Sequence, residues 1–180
     1  MGSASSAAPV VLLVAAFSRY DDALNWVRDK LQVEFGPLQL ESPRFDFVET
    51  AYYEKSMGAG LRKTFFAFER LIDPGALPDI KRQTNAWERD YASASQHAEE
   101  RPLNLDPGYI TEPKLVLAST KDHAHRLYLR DGIYAEITLY FQHGAWQKSP
   151  WTFPDYQRAD YQAFFTACRE YVKMCRRNGS

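Results

Sequence analysis

The first strong signal along the chain is an unbroken apolar run, Val10-Val11-Leu12-Leu13-Val14-Ala15-Ala16. A run without alternation predicts a central strand covered on both faces. Apolar positions then recur at helical intervals: Leu24, Val27, Leu31 and Phe35 share one face of a helix. Ser18 or Asp21 can cap it, and Gly36-Pro37 stops it. Leu38-Gln39-Leu40 and Phe45-Asp46-Phe47 form an extended stretch running towards Tyr52-Tyr53, broken by Ser42-Pro43. Met57-Gly58-Ala59-Gly60 makes a flexible turn. Residues 64–72 read as a third strand with Phe on both faces, ended by Asp73-Pro74-Gly75. Leu77, Ile80, Thr84, Trp87 and Tyr91 then make the apolar stripe of a second helix. With residues 103–110 as the next strand, the order is βαββαβ, which predicts a ferredoxin-like α+β core with a mainly antiparallel sheet.

The remaining chain adds a hairpin and a C-terminal helix. Thr111-Glu112-Pro113 resembles a helix start, so residues 114–120 read as a short helix, although Leu115-Val116-Leu117 suits a strand equally. A three-residue loop, Arg130-Asp131-Gly132, pairs Leu129 with Ile133, Leu127 with Ala135, Tyr128 with Tyr134 and Arg126 with Glu136. That register puts His125, Leu127 and Leu129 on an apolar face. Arg126, Tyr128, Tyr134, Glu136, Thr138 and Tyr140 fall on the opposite, polar one. After the turn over residues 150–154, Tyr161, Phe164, Phe165, Cys168, Tyr171, Val172 and Cys175 mark one face of the final helix.

Composition narrows the class. The 180 residues are 45% hydrophobic and 25% charged, the balance of a folded domain, and no internal repeat or linker divides them. We therefore expect a flexible leader over residues 1–9 and a single domain over residues 10–177. The leader matches a loose N-myristoylation pattern at Gly2 but reads as plain Gly/Ser/Ala sequence. A formal net charge of −1 argues against nucleic-acid binding, which draws most of its affinity from phosphate neutralisation. No apolar run approaches the ~18 residues of a membrane span, and Val10 to Phe17 lacks the preceding positive charge of a signal peptide. Cys168 and Cys175 stand seven apart in a helix, about 10 Å, too far for a disulfide. They read as small buried hydrophobes of a reducing compartment, and the chain as cytoplasmic.

Several ordered blocks are distinctive. They include Gly36-Pro37-Leu38, Tyr52-Tyr53-Glu54-Lys55, Leu71-Ile72-Asp73-Pro74 and Thr84-Asn85-Ala86-Trp87-Glu88. Asn104-Leu105-Asp106-Pro107-Gly108-Tyr109, residues 120–136 and Trp151-Thr152-Phe153-Pro154-Asp155-Tyr156 continue the series. From Val10 to Phe165 the chain resembles the bacterial domain-of-unknown-function family numbered 4416. The resemblance implies no activity and no catalytic residues. Some members carry a GTP-binding label, which the residues of this chain can test.

Gly58-Ala59-Gly60-Leu61-Arg62-Lys63-Thr64 superficially suggests a phosphate loop. The pattern needs Gly where Arg62 stands, and a helix after Thr64 where Phe65-Phe66-Ala67-Phe68 reads as strand. Thr120-Lys121-Asp122 only approximates a guanine-reading motif. A looser anion site using Lys55, Arg62 and Lys63 stays open beside a plain hairpin loop. Lys81 and Asn85 are helical i, i+4 neighbours, and Glu88 lies one turn on; they form either a solvated face or the wall of a pocket at the sheet's edge. Asn104 and Asp106 point the same way on a strand, with Tyr109 close behind. His123-Ala124-His125 has the spacing of metal ligands, but the hairpin register separates His125 from Glu136, so we expect no metal site.

These residues point to a small polar anionic ligand, nucleotide-like or phosphorylated, of unknown cofactor requirement. Lys55, Arg62, Lys63, Lys81, Asn85, Glu88, Asn104, Tyr109, Arg126 and Tyr134 are the expected contacts, and Asp106, His125 and Glu136 the expected acid–base groups. The alternative is a non-catalytic interaction or RNA-binding protein that uses an exposed aromatic face. Neither reading involves a membrane.

Overall fold

The structure is a computed structural model that describes residues 3, 5–49 and 53–178. Tyr52 lies outside the described residues, as do Met1, Gly2 and Ala4 of the loose N-myristoylation pattern. Among those described, a mixed α/β architecture is built on one open, antiparallel, nine-stranded sheet and four α-helices.

The strands are β1 (Val10–Ser18), β2 (Leu38–Glu41), β3 (Phe45–Asp46), β4 (Arg62–Ile72), β5 (Asn104–Ile110), β6 (Lys114–Ser119), β7 (Leu127–Arg130), β8 (Ile133–Gln142) and β9 (Ala145–Lys148). The helices are α1 (Asp21–Phe35), α2 (Glu54–Met57), α3 (Leu77–Ala94) and α4 (Ala159–Asn178). Sheet order is β2-β4-β1-β5-β6-β8-β7, with β3 on β4 and β9 on β8. Every residue of β1 is buried, as its unbroken apolar run requires. Leu12, Val14 and Ala16 meet α1 and α3 on one face; Val11, Leu13 and Ala15 meet α4 on the other.

Local chemistry differs from the sequence reading in three places. Residues 114–119 are strand, not helix: Leu115 and Leu117 pack in the α4-side core while Val116 and Ala118 pack beneath Leu77 on the α3 side. A strand buried on both faces shows no period that distinguishes it from a helix. The strands β6 to β9 therefore continue the main sheet and are not an appended hairpin. The hairpin turn has two residues, not three: Asp131 and Gly132 both have positive φ (53° and 75°) and Arg130 pairs Ile133. A bulge between Tyr128 and Arg130 absorbs the extra residue, so the pairs Leu127–Ala135 and Tyr128–Tyr134 still form. Leu127, Tyr128 and Leu129 are all exposed, so the expected apolar face of β7 covers no core.

Candidate functional site

β5 and β6 part company halfway along their length. They pair only where Gly108, Tyr109 and Ile110 meet Leu117, Val116 and Leu115. Before that point β5 stays with β1, down to the pair Asn104–Phe17, while β6 stays with β8, out to Ser119–Tyr134. The result is a fork inside the sheet. Pro107, which has no N–H to give, stands at its base.

A strand that loses a neighbour must satisfy its backbone otherwise. Leu105 does so with side chains of α3: its N–H donates to Glu88 Oε1 at 2.7 Å, and its carbonyl accepts from Lys81 Nζ at 2.7 Å. Lys81 Nζ also reaches Asp106 Oδ1 at 3.2 Å. Asn104 Nδ2 donates to Asp106 Oδ2 at 3.0 Å, and Arg101 bridges Asn104 Oδ1 (2.5 Å) and Glu88 Oε2 (3.3 Å). One connected network thus lines this arm of the fork.

The other arm carries Glu136, set opposite Leu117 on the α4 side of the sheet. Its Oε2 accepts Arg126 Nε at 2.7 Å and lies 3.0 Å from His125 Nε2; its Oε1 accepts the Thr138 hydroxyl at 3.2 Å. Arg126 also donates to Ser119 Oγ at 2.7 Å. His125 therefore meets Glu136, contrary to the expected separation. Strand β7 begins only at Leu127, so alternation does not extend back to His125, which stacks on Trp151 with ring centroids 5.1 Å apart.

Between the arms lies a cavity of about 970 Å³, at the upper end of the ~300–1,000 Å³ usual for ligand pockets. Among the described residues, six Lys or Arg and five Asp or Glu line it. Of the expected contacts, Lys63, Lys81, Asn85, Glu88, Asn104 and Arg126 stand in its wall, together with Asp106 and Glu136. Lys55, Arg62, Tyr109 and Tyr134 do not. Arg62 pairs with Asp21 at 2.8 Å, Tyr109 packs against the cluster around Val116 beneath α3, and Tyr134 makes an edge contact with Tyr128. His125 lies behind Glu136, and His123 takes the place at the wall.

Wall groups not expected from sequence include Arg89, Arg101, Asp155 and Tyr156. Arg89 is one helical turn beyond Asn85 and could have been found by the spacing that identified Lys81 and Asn85. Asp155 and Tyr156 carry no such signal, because their turn reaches the site only through the packing of residues 153–157 against β4 and α4. Lys63 Nζ donates to Asp155 Oδ2 at 2.6 Å, within 4.8–5.9 Å of the ring centroids of Phe17, Phe47, Phe65 and Tyr156. That lysine lies within strand β4 and is committed to Asp155, so residues 58–64 do not form a phosphate loop.

The carboxylates are tuned in opposite directions. Burial pushes the Glu88 carboxyl upward, opposed incompletely by Lys81, the Leu105 N–H and Arg101. Burial also acts on Asp106, but the charges of Lys81 and Lys63 and hydrogen bonds from Lys81 and Asn104 outweigh it, and its carboxyl is held below the usual range. Two acids held apart in this way make an acid–base pair chemically available. Among the described residues, no group of three or more His, Cys, Asp or Glu is placed to hold a metal. Nor is any helix there long and apolar enough to cross a membrane.

The fold and site define a mixed α/β protein whose antiparallel sheet opens around an internal charged cavity. The chain belongs to the family described as domain of unknown function DUF4416, whose profile matches residues 8–171. No curated protein and no solved structure matches it.

Proposed function

We propose that the cavity between β5 and β6 binds a small, polar, anionic ligand of the phosphorylated or nucleotide-like kind. The observation that carries this reading is the balance of charge in the wall. Lys63, Lys81, Arg101 and Arg126 are each neutralised by a carboxylate. Arg89 has no ion pair among the described residues, so an incoming anion meets an uncompensated guanidinium beside Asn85. Asp106 is the base and Glu88 the acid that their environments favour, with Glu136 a further acid–base candidate; His125 orients Glu136 from behind.

A thermal-shift panel of GTP, AMP, ribose 5-phosphate, inorganic phosphate and Mg²⁺, joined to native mass spectrometry of the purified protein, tests this. A ligand at one hundred times its Kd stabilises by about 2.7 kcal/mol, which raises Tm by roughly 5–10 °C for a chain of this size. No shift with any compound and no co-purified mass overturns the reading.

The sheet's first part supports a ferredoxin-like core, since β2-β4-β1-β5 is the order expected for βαββαβ and α1 and α3 share one face. The two free thiols, Cys168 and Cys175, support a cytoplasmic setting. A second reading rests on a separate observation: Leu127 and Tyr128 on β7 and Ile137 and Tyr140 on β8 are large side chains left exposed, surface of the kind a protein partner covers.

A further inference from the structure

The carboxylates that line the cavity are not equally open to it. The Glu136 and Asp155 side chains are 1% and 4% exposed and are closed off by Arg126 and Lys63. Glu49 is taken by Arg158 at 2.8 Å, and Glu88, 13% exposed, spans the Leu105 N–H and Arg101. Asp106 stands apart: 29% of its side chain is exposed, on the arm of β5 that has parted from β6. A carboxylate offers about four acceptor positions, and Asp106 fills two, with Lys81 at 3.2 Å and Asn104 at 3.0 Å. Lys81 compensates it only loosely, since its Nζ sits closer to the Leu105 carbonyl, at 2.7 Å. Burial works against the charge on Asp106, but Lys81, Lys63 and Asn104 outweigh it, so the group is ionised. The wall thus holds one reachable carboxylate with acceptor positions to spare.

An anion has its own place in the same wall. Asn85 and Arg89 are neighbours on α3, and neither has a hydrogen bond or ion pair among the described residues. Lys81, which touches Asp106, lies on the same helix. At 1.5 Å per residue, Asn85 is roughly 6 Å and Arg89 roughly 12 Å further along the axis. A short molecule with a flexible arginine to meet it covers that distance. The wall also lacks the cationic excess that a bare polyanion calls for: among the described residues, six Lys or Arg face five Asp or Glu. Near balance, with both signs reachable, suits a ligand that itself carries both.

We propose that the ligand is a small phosphorylated amine, its phosphate on Arg89 and Asn85 and its ammonium on Asp106. This deepens the anion-binding reading and rests on it. Asp106 is then a specificity residue: it separates a phosphorylated amine from a phosphate ester that has no donor at its far end.

Calorimetric titration of the full chain with phosphoethanolamine, ethylene glycol phosphate and propyl phosphate tests the assignment. The three differ at the far end alone, which is an ammonium, a hydroxyl or a methyl group. Phosphoethanolamine should bind about tenfold tighter than propyl phosphate, the weight of one charge-assisted hydrogen bond, with ethylene glycol phosphate between them. Asp106→Asn should lose that preference and Asp106→Glu, which keeps the charge, should retain part of it. A preference measured within one variant is insensitive to general loosening of the site. Arg89→Gln should weaken all three compounds alike. If the unmodified protein binds all three equally, or binds the glycol ester as tightly as the amine, this proposal falls and the anion site stands. It falls as well if the preference survives in Asp106→Asn. If the unmodified protein binds none of the three, both readings fall. The ligand series on the unmodified protein decides the matter even where a variant does not fold.

Discussion

Lys63 and Asp155 face each other at 2.6 Å with only 4% of either side chain exposed. Desolvation of both charges is offset by their mutual attraction and by the aromatic faces around the ammonium. Removing one partner leaves the other buried and uncompensated. Lys63→Met should therefore cost about 3–5 kcal/mol in urea denaturation, and the double variant Lys63→Met/Asp155→Leu should recover most of it. If the double variant is as unstable as the sum of the singles, the pair is not coupled. Glu88 and Asp106 make a pH prediction of opposite signs. The folded carboxyl of Glu88 lies above its unfolded value, so the native state keeps a proton longer, and stability falls as pH rises through that window. Glu88→Gln should thus gain in Tm relative to the unmodified protein as pH rises above the ordinary glutamate range. Asp106 lies below its unfolded value, so its contribution is present above the unfolded pKa and is lost as pH falls through the folded one. The penalty of Asp106→Asn should shrink in acid, and Tm measured across pH separates the two.

At the scale of elements, the junction that closes the fork is made by Gly108. A Cβ there would overlap the Val116 carbonyl oxygen and press on Leu117, so β5 and β6 meet at that point only because the residue is glycine. Gly108→Ala should destabilise by about 1–3 kcal/mol through overpacking and shift the amide resonances of β5 and β6 more than those of β1 and β4. An unchanged melting curve would show that the strands part freely. The same scale explains what was legible here. Asn104 and Asp106 were readable as a same-face pair because strand alternation is local. The fork was not, since it depends on β5 and β6 each keeping a different outer neighbour. The turn at Asp131-Gly132 was visible as a turn, but its length was misjudged because the bulge at Leu129 restores the pairing that a longer loop would have produced. Strand β9, after the positive-φ pair His143-Gly144, went unread altogether: its four residues are too few to show a period.

For the whole molecule, the open sheet leaves an edge at β7, where Leu127 is 75% and Tyr128 61% exposed. An edge strand with large apolar side chains and free backbone groups invites pairing with another chain. Leu127→Lys should reduce concentration-dependent association in analytical ultracentrifugation and leave ribose 5-phosphate binding unchanged. If the unmodified protein is strictly monomeric and the variant behaves identically, the interaction reading loses its support.

The sequence by itself determined β1, the helices α1, α3 and α4 and the apolar faces they bury, because hydrophobic periodicity is a local property that core burial preserves. It also pointed to Lys81, Asn85 and Glu88 as one helix face and to Asp106 and Glu136 as groups of interest. Only the tertiary structure decided that these meet. The fork, the pairing of Lys63 with Asp155 and the approach of Tyr156 all join residues far apart in the chain, and their geometry follows from sheet order and packing rather than from any spacing along it. The segment from Asn104 to Glu136 thus becomes the two arms of one cavity for a physical reason: β5 and β6 share a short ladder and then follow different neighbours.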